Sequence, residues 1–180
     1  MVLHEKGVDF ETREVDLANK SREFLEASPT GKVPVVVVDG ESLYESNVIN
    51  QYLDEVFPEP PLMPGDPKAR AHARIWMSFA DAKFFPAVFV AASGRRRGFP
   101  EERISEGMRR LKEHLSELEA RLEGREYLAG SFSLADIAYA VNFVRLRELA
   151  EGGELSFEEW PRVASWMERI ESRESYEKSL

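Results

Sequence analysis

Five prolines fall within ten residues at "PEPPLMPGDP" (58–67). Proline has no N–H to give to a helix or sheet, and its ring fixes φ. No regular element runs through such a stretch, and the sequence reads differently on its two sides. The expected organisation is a small α/β domain over 1–57, a stiff linker over 58–65 and an all-helical domain over 66–180.

Before the prolines, strand and helix signals alternate. "MVLHEK" reads as the end of a helix that Gly7 closes. "VDFETREVDL" (8–17) alternates Val8, Phe10 and Thr12 and predicts a strand. Asn19 or Ser21 caps a short helix over 20–28, which Pro29 and Gly31 end. "VPVVVV" (33–38) is β-branched and too short for a helix, so it predicts a buried strand. Asp39-Gly40 is a hairpin turn signal, and "SLYES" (42–46) is the returning strand. "NVINQYLDEVF" (47–57) spaces its apolar residues as a helix does.

After the prolines the signals are helical. Asp66 is a cap and Pro67 suits the first helical position. That helix is expected to run to about Ser93, with Pro86 as a kink or break. From 100 to 123, Ile104, Met108, Leu111, Leu115, Leu118 and Leu122 form a long apolar seam of a core helix. Ser133 and Asp136 stand three apart, as in a capping box at the start of a helix over 131–144. Asp136 lies in an apolar stretch, so its expected role is structural. A last helix is expected from Pro161 to Ser172.

Composition narrows the chemistry. The formal charge of −9 argues against a nucleic-acid binder, which needs a basic face. The absence of cysteine excludes disulfides, a thiolate nucleophile and thiolate metal sites. His4, His72 and His114 have no ligand spacing, so no metal is expected. No apolar run is read as a membrane span and no signal peptide opens the chain, so a cytoplasmic protein is expected. Arg95-Arg96-Arg97 reads most simply as a solvated loop, with docking of an acidic group as the other reading.

The segment that carries chemistry is "GKVPVVVVDGESLYESNVI" (31–49). A proline at a strand start, Pro34, can take the cis form and turn the backbone of Val33 outward. Those groups can then pair with an extended ligand, as in strand addition. Ser46 is read as the cap of the next helix, whose N-terminus attracts a carboxylate. Glu45 offers a carboxylate to an ammonium group. An extended ligand with an α-amino acid head matches all three features.

This segment resembles the glutathione-binding half of a glutathione transferase. "EASPTGKVPVVV", "LYESNVINQYLDE", "PPLMPGDPKARA" and "SFSLADIAYA" match that family in order along the whole chain. The resemblance implies a thioredoxin-like α+β domain, a linker and an all-α helical bundle. It implies glutathione as co-substrate, a small electrophile as second substrate, and conjugation or glutathione-dependent reduction as the reaction. By position, Val33 holds the cysteinyl backbone, Pro34 is the cis-proline, Glu45 and Ser46 hold the γ-glutamyl head, and Lys32 reaches the glycyl carboxylate. In the helical domain, Trp76 and Phe79 fall on the helix that lines the electrophile pocket in the family. A homodimer is expected, through the helix near 47–57 and the long helices after 66.

Family members begin with a strand, a loop and a full first helix. "VLHEKGVDFE" matches the end of that helix and the strand after it, so the first strand and most of the first helix are expected to be absent here. The loop between them carries the group that activates the glutathione thiol, so no catalytic residue is assigned and impaired activity is expected. The chain also resembles stringent starvation protein A, a transferase-fold protein that binds RNA polymerase. That resemblance implies a non-catalytic protein-binding module, and an inert fragment is a third reading.

Overall fold

A computed structural model describes residues 1–180, which divide into two compact units, Met1–Pro61 and Leu62–Leu180. The division falls inside the stretch read as a linker. Leu62 is not a spacer: it is buried in the second unit, and its carbonyl accepts the Leu134 N–H at 2.8 Å.

The first unit starts with α1 (Val2–Glu5), and Gly7 comes after it with φ of 61°. Then α2 (Arg22–Ala27) is capped by Ser21, whose hydroxyl accepts the Phe24 N–H at 3.1 Å. β1 (Val35–Val38) and β2 (Glu41–Tyr44) form a two-stranded antiparallel sheet. Asp39 and Gly40 link the strands with φ of 50° and 85°, the sign a primed two-residue turn requires. α3 (Ser46–Val56) completes the unit and buries Ile49 and Leu53.

Residues 8–17 correct the strand expected there: the segment forms no strand and is mostly exposed. Alternation gives a segment two faces, but a strand also needs a ladder partner. The only ladder in the unit is between β1 and β2. The helix expected from 47 also differs slightly, because Ser46 is its first residue and Glu45 is the cap.

Lys6 fastens the unit. Its side chain is fully buried, and its ammonium donates to Asp54 Oδ1 on α3 and to the Pro60 carbonyl, both at 2.6 Å.

The second unit is helical. α4 (Pro67–Phe79) is capped by Asp66, which accepts the Ala69 N–H at 2.7 Å. A π-helical turn at Ala80–Phe84 leads into α5 (Phe85–Ser93). A wider turn before Pro86 relieves the lost N–H and the ring clash with the preceding turn. The stretch Pro67–Ser93 has a window of mean hydropathy 1.4 and is long and apolar enough to cross a membrane by length and composition alone. This corrects the reading that no run approaches a span. A core helix passes the same test, and Met77, Ala80, Phe84 and Val88 of this stretch are buried in the unit.

α6 (Glu101–Arg121) buries Ile104, Leu111, Leu115 and Leu118, the seam its spacing predicts. It lies close against α5, because a Cβ on Gly107 would stand 2.5 Å from Val90 Cγ1. The helix expected over 131–144 is two: α7 (Leu134–Ala140) and α8 (Phe143–Glu151). α9 (Pro161–Glu171) and α10 (Glu174–Glu177) end the chain, and α9 buries Val163, Trp166, Met167 and Ile170.

Asp136 organises this core. One carboxylate oxygen accepts the Leu128 N–H and Trp166 Nε1–H; the other accepts the Ser133 N–H and hydroxyl, each at 2.9 Å. Ser133 and Asp136 form the expected capping box. Burial pushes the carboxyl above its ordinary value, against the four donors that pull it down.

Candidate functional site

The hairpin sets the geometry of the site. Val35 pairs with Tyr44, so the residues just before β1 and just after β2 emerge at the same end of the ladder. Val33 and Pro34 precede β1, and Glu45 and Ser46 come directly after β2. Thus a short sheet brings together residues twelve apart in the chain, Val33 and Glu45.

The loop before β1 is held from below. The buried Ser28 hydroxyl donates to the Lys32 carbonyl at 2.8 Å and accepts the Lys32 N–H at 3.1 Å. Gly31 turns the chain with φ of 61°, and its N–H donates to the Ser28 carbonyl at 2.8 Å. The Val33–Pro34 peptide is cis. Val33 is 49% exposed, and its N–H and C=O make no hydrogen bond within the chain. They offer a donor and an acceptor to an extended ligand.

The helix side carries an unusual backbone. Glu45 has φ of 70° and ψ of 109°, outside the regions a non-glycine residue favours. Such conformations cost about 1–3 kcal/mol and cluster at functional sites. Its carbonyl accepts the Val48 and Ile49 N–H groups, each at 3.0 Å, which anchors the first turn of α3. Its side chain makes no capping bond and is exposed. The Ser46 N–H makes no bond within the chain, so a donor at the positive end of α3 stands open.

Two cations border the loop. Lys32 sits in it directly and is exposed. Lys20 is a cation that the sequence does not announce: its Nζ lies 3.3 Å from where a Cβ on Gly31 would sit, beside the same loop. Nothing local in "ANKSRE" marks Lys20, because only the fold of residues 20–31 returns it to this loop.

Trp76 and Phe79 lie in the other unit, on α4. They make a T-shaped pair with centroids 5.9 Å apart, with Lys83 over the Phe79 ring and Arg121 over the Trp76 ring. Both are half-buried, which gives them a packing role within that unit.

A strand-edge backbone thus lies beside the N-terminus of α3, with Lys20 and Lys32 at the same loop. Residues 1–61 match the N-terminal domain of glutathione S-transferases, and residues 101–169 match their C-terminal domain. The chain is 36% identical to glutathione S-transferase U25 of Arabidopsis thaliana, with all of this chain aligned to 81% of that protein. It is 32% identical to the stringent starvation protein A homologue of Haemophilus influenzae, over all of this chain and 82% of that one. Rice GST1, solved in complex with glutathione, superposes with a TM-score of 0.87 at 33% identity, covering 99% of this chain and 82% of that one. The β-etherase LigF of Sphingobium superposes with a TM-score of 0.86 at 29% identity, covering 98% of this chain and 90% of that one.

The chain belongs to the glutathione S-transferase family. Its two units are the thioredoxin-like and the all-helical domains of that fold.

Proposed function

We propose that this chain binds glutathione at the paired ends of the β1–β2 hairpin. Val33 pairs with the cysteinyl backbone beside the cis Pro34. Glu45 takes the α-ammonium of the γ-glutamyl head, and the Ser46 N–H and hydroxyl take its carboxylate. Lys32 and Lys20 face the glycyl carboxylate. The observation that carries this reading is the open donor–acceptor pair at Val33, brought by the hairpin register to the end where α3 begins.

The reaction proposed is glutathione transfer to a small electrophile, or reduction of it. Thiol activation needs a hydrogen bond or positive charge at the sulfur. None of the residues placed at this site is assigned that role. A homodimer and a cytoplasmic setting belong to the same proposal, and sedimentation velocity tests the first.

The test is a thermal melt with and without reduced glutathione. At ~100 times Kd a ligand adds about 2.7 kcal/mol, roughly a 5–10 °C rise for a chain of this size. Ser46→Ala with Glu45→Ala is expected to abolish the rise without lowering the melt of the free protein. A cooperative melt that glutathione does not move sinks the proposal. The match to the stringent starvation protein A homologue favours a second reading, a protein-binding module that uses this fold without conjugation. That outcome would then stand.

A further inference from the structure

The outer edge of β1 is unfilled. The only ladder in the hairpin unit joins β1 to β2, and residues 8–17 form no strand. Val36 and Val38 bond to β2, so the N–H and C=O of Val35 and Val37 point outward, and no other segment bonds to them. Val37 is 60% exposed. Folded chains guard such an edge with a charge, a proline or a bulge in the strand. Val35–Val38 has none of these: it is all valine, and its register with β2 is unbroken.

The charges around the strand differ at its two ends. Lys32 stands before β1, and Asp39 and Glu41 stand after it. All three are exposed, and none makes an ion pair within the chain. An antiparallel copy of β1 laid against this edge therefore brings Lys32 of each chain to the Asp39 and Glu41 end of the other. The outer edge of β2 has the opposite property. Glu41 opens that strand and Glu45 follows it, so the same operation there sets carboxylate against carboxylate.

We propose that β1 pairs with β1 of a second copy of this chain about a twofold axis, joining two hairpins into one antiparallel sheet. The open groups fix the register. Val35 of each copy exchanges both backbone bonds with Val37 of the other, so every outward group of β1 is satisfied and Val36 faces Val36 across the axis. The axis uses each β1 edge once, so the contact closes on itself and builds no open chain of copies. The joined sheet has the further strands that an isolated hairpin lacks. Val33 lies outside the paired residues, so the contact does not rest on the glutathione reading, and it uses no helix.

The chain has no cysteine, so one introduced thiol reports on one contact. Val36→Cys puts two thiols at a non-hydrogen-bonded pair across the axis, where Cα atoms stand about 4.5 Å apart. Val38→Cys is the control: in this register its two thiols are roughly 14 Å apart along the strands, beyond the reach of a disulfide. Under mild oxidation by copper phenanthroline, Val36→Cys is expected to form linked dimers at least ~10-fold faster than Val38→Cys. Equal rates, or faster linking through Val38→Cys, overturn the proposal. Val37→Pro removes an outward N–H and no bond to β2, and Val37→Lys sets a charge on the edge while keeping every backbone group. Either change, added to Val36→Cys, is expected to slow linking at least ~5-fold. Linking that neither change slows overturns the proposal. Sedimentation velocity over a concentration series supplies the readout without a disulfide: the unaltered chain is expected to self-associate more strongly than Val37→Lys, and identical profiles overturn the proposal as well.

Discussion

The two units solve the burial problem differently. The helical unit encloses large side chains, with Trp166, Tyr139, Phe84 and Phe143 all inside. The hairpin unit buries few apolar residues, chiefly Val2, Phe24, Ile49 and Leu53, and leaves Val37 60% exposed. A two-stranded hairpin is marginal without a further strand or a covering helix. In a two-residue hairpin Val36 and Val38 bond across to β2, so the Val35 and Val37 backbone groups point away from the ladder. The difference teaches a division of labour. One unit supplies stability through packing, and the other leaves backbone groups open at the cost of its own cohesion. Ligand binding is therefore expected to stabilise the hairpin unit more than the helical one.

Breaking the helical unit requires its centre. Asp136→Ala leaves the Leu128 N–H, the Ser133 N–H and Trp166 Nε1–H without an acceptor inside the core. Each buried orphan costs about 1–3 kcal/mol, so a loss of at least roughly 3 kcal/mol is expected in total. Urea unfolding followed by tryptophan fluorescence measures it. A loss under about 1 kcal/mol would mean the carboxylate is not the organiser of this core.

Breaking the hairpin unit requires its fastening. Lys6→Met takes the buried ammonium away from Asp54, whose side chain is only 12% exposed. Losing one partner of a buried pair costs about 3–5 kcal/mol; the partial exposure of Asp54 lowers the expectation to about 2–3 kcal/mol. Hydrogen exchange sharpens the comparison. Amides of α3 and β1 are expected to lose protection, while those of α6 and α9 keep theirs. Uniform loss over both units would show that they unfold as one.

A third change runs the other way. Asn142 lies buried between α7 and α8, and neither its amide oxygen nor its nitrogen has a partner. Asn142→Leu is expected to raise stability by about 1 kcal/mol, because an unpaired buried amide is replaced by an apolar group of similar size. A fall in the melting temperature would reveal a bound water or other partner at the amide.

The helical unit is the more legible in the sequence, for the same physical reason that it is the more densely packed. Its elements declare themselves locally: the α6 seam repeats at helical spacing, and the Asp136 capping box fits within a single turn. The candidate site is half legible. Val33-Pro34 and Glu45-Ser46 stand out as a strand start and a helix start. The positive φ of Glu45 and the approach of Lys20 to Gly31 do not, since each depends on where other residues fold. Residues 8–17 show the limit most clearly. Their alternation is real, but a strand is a property of two segments, and one segment alone does not say whether it has a ladder partner.

The smallest expected effect lies on the surface of α6. Glu106 accepts hydrogen bonds from Arg109 first and then from Arg110, which hold its carboxyl down at about 2. A depressed folded value means the group stabilises the fold above its unfolded value of 4.5 and loses that contribution as pH falls toward about 2. Glu106→Gln should therefore lower the urea midpoint slightly at neutral pH, and the gap from the unaltered chain should close as pH drops below 4.5. The carboxylate is exposed, so added salt should shrink the gap at neutral pH. A gap that stays constant across pH would place its origin in helix propensity or packing, not in the ion pairs. Because α6 belongs to the densely packed unit, hydrogen exchange in the hairpin unit should not register the change at all.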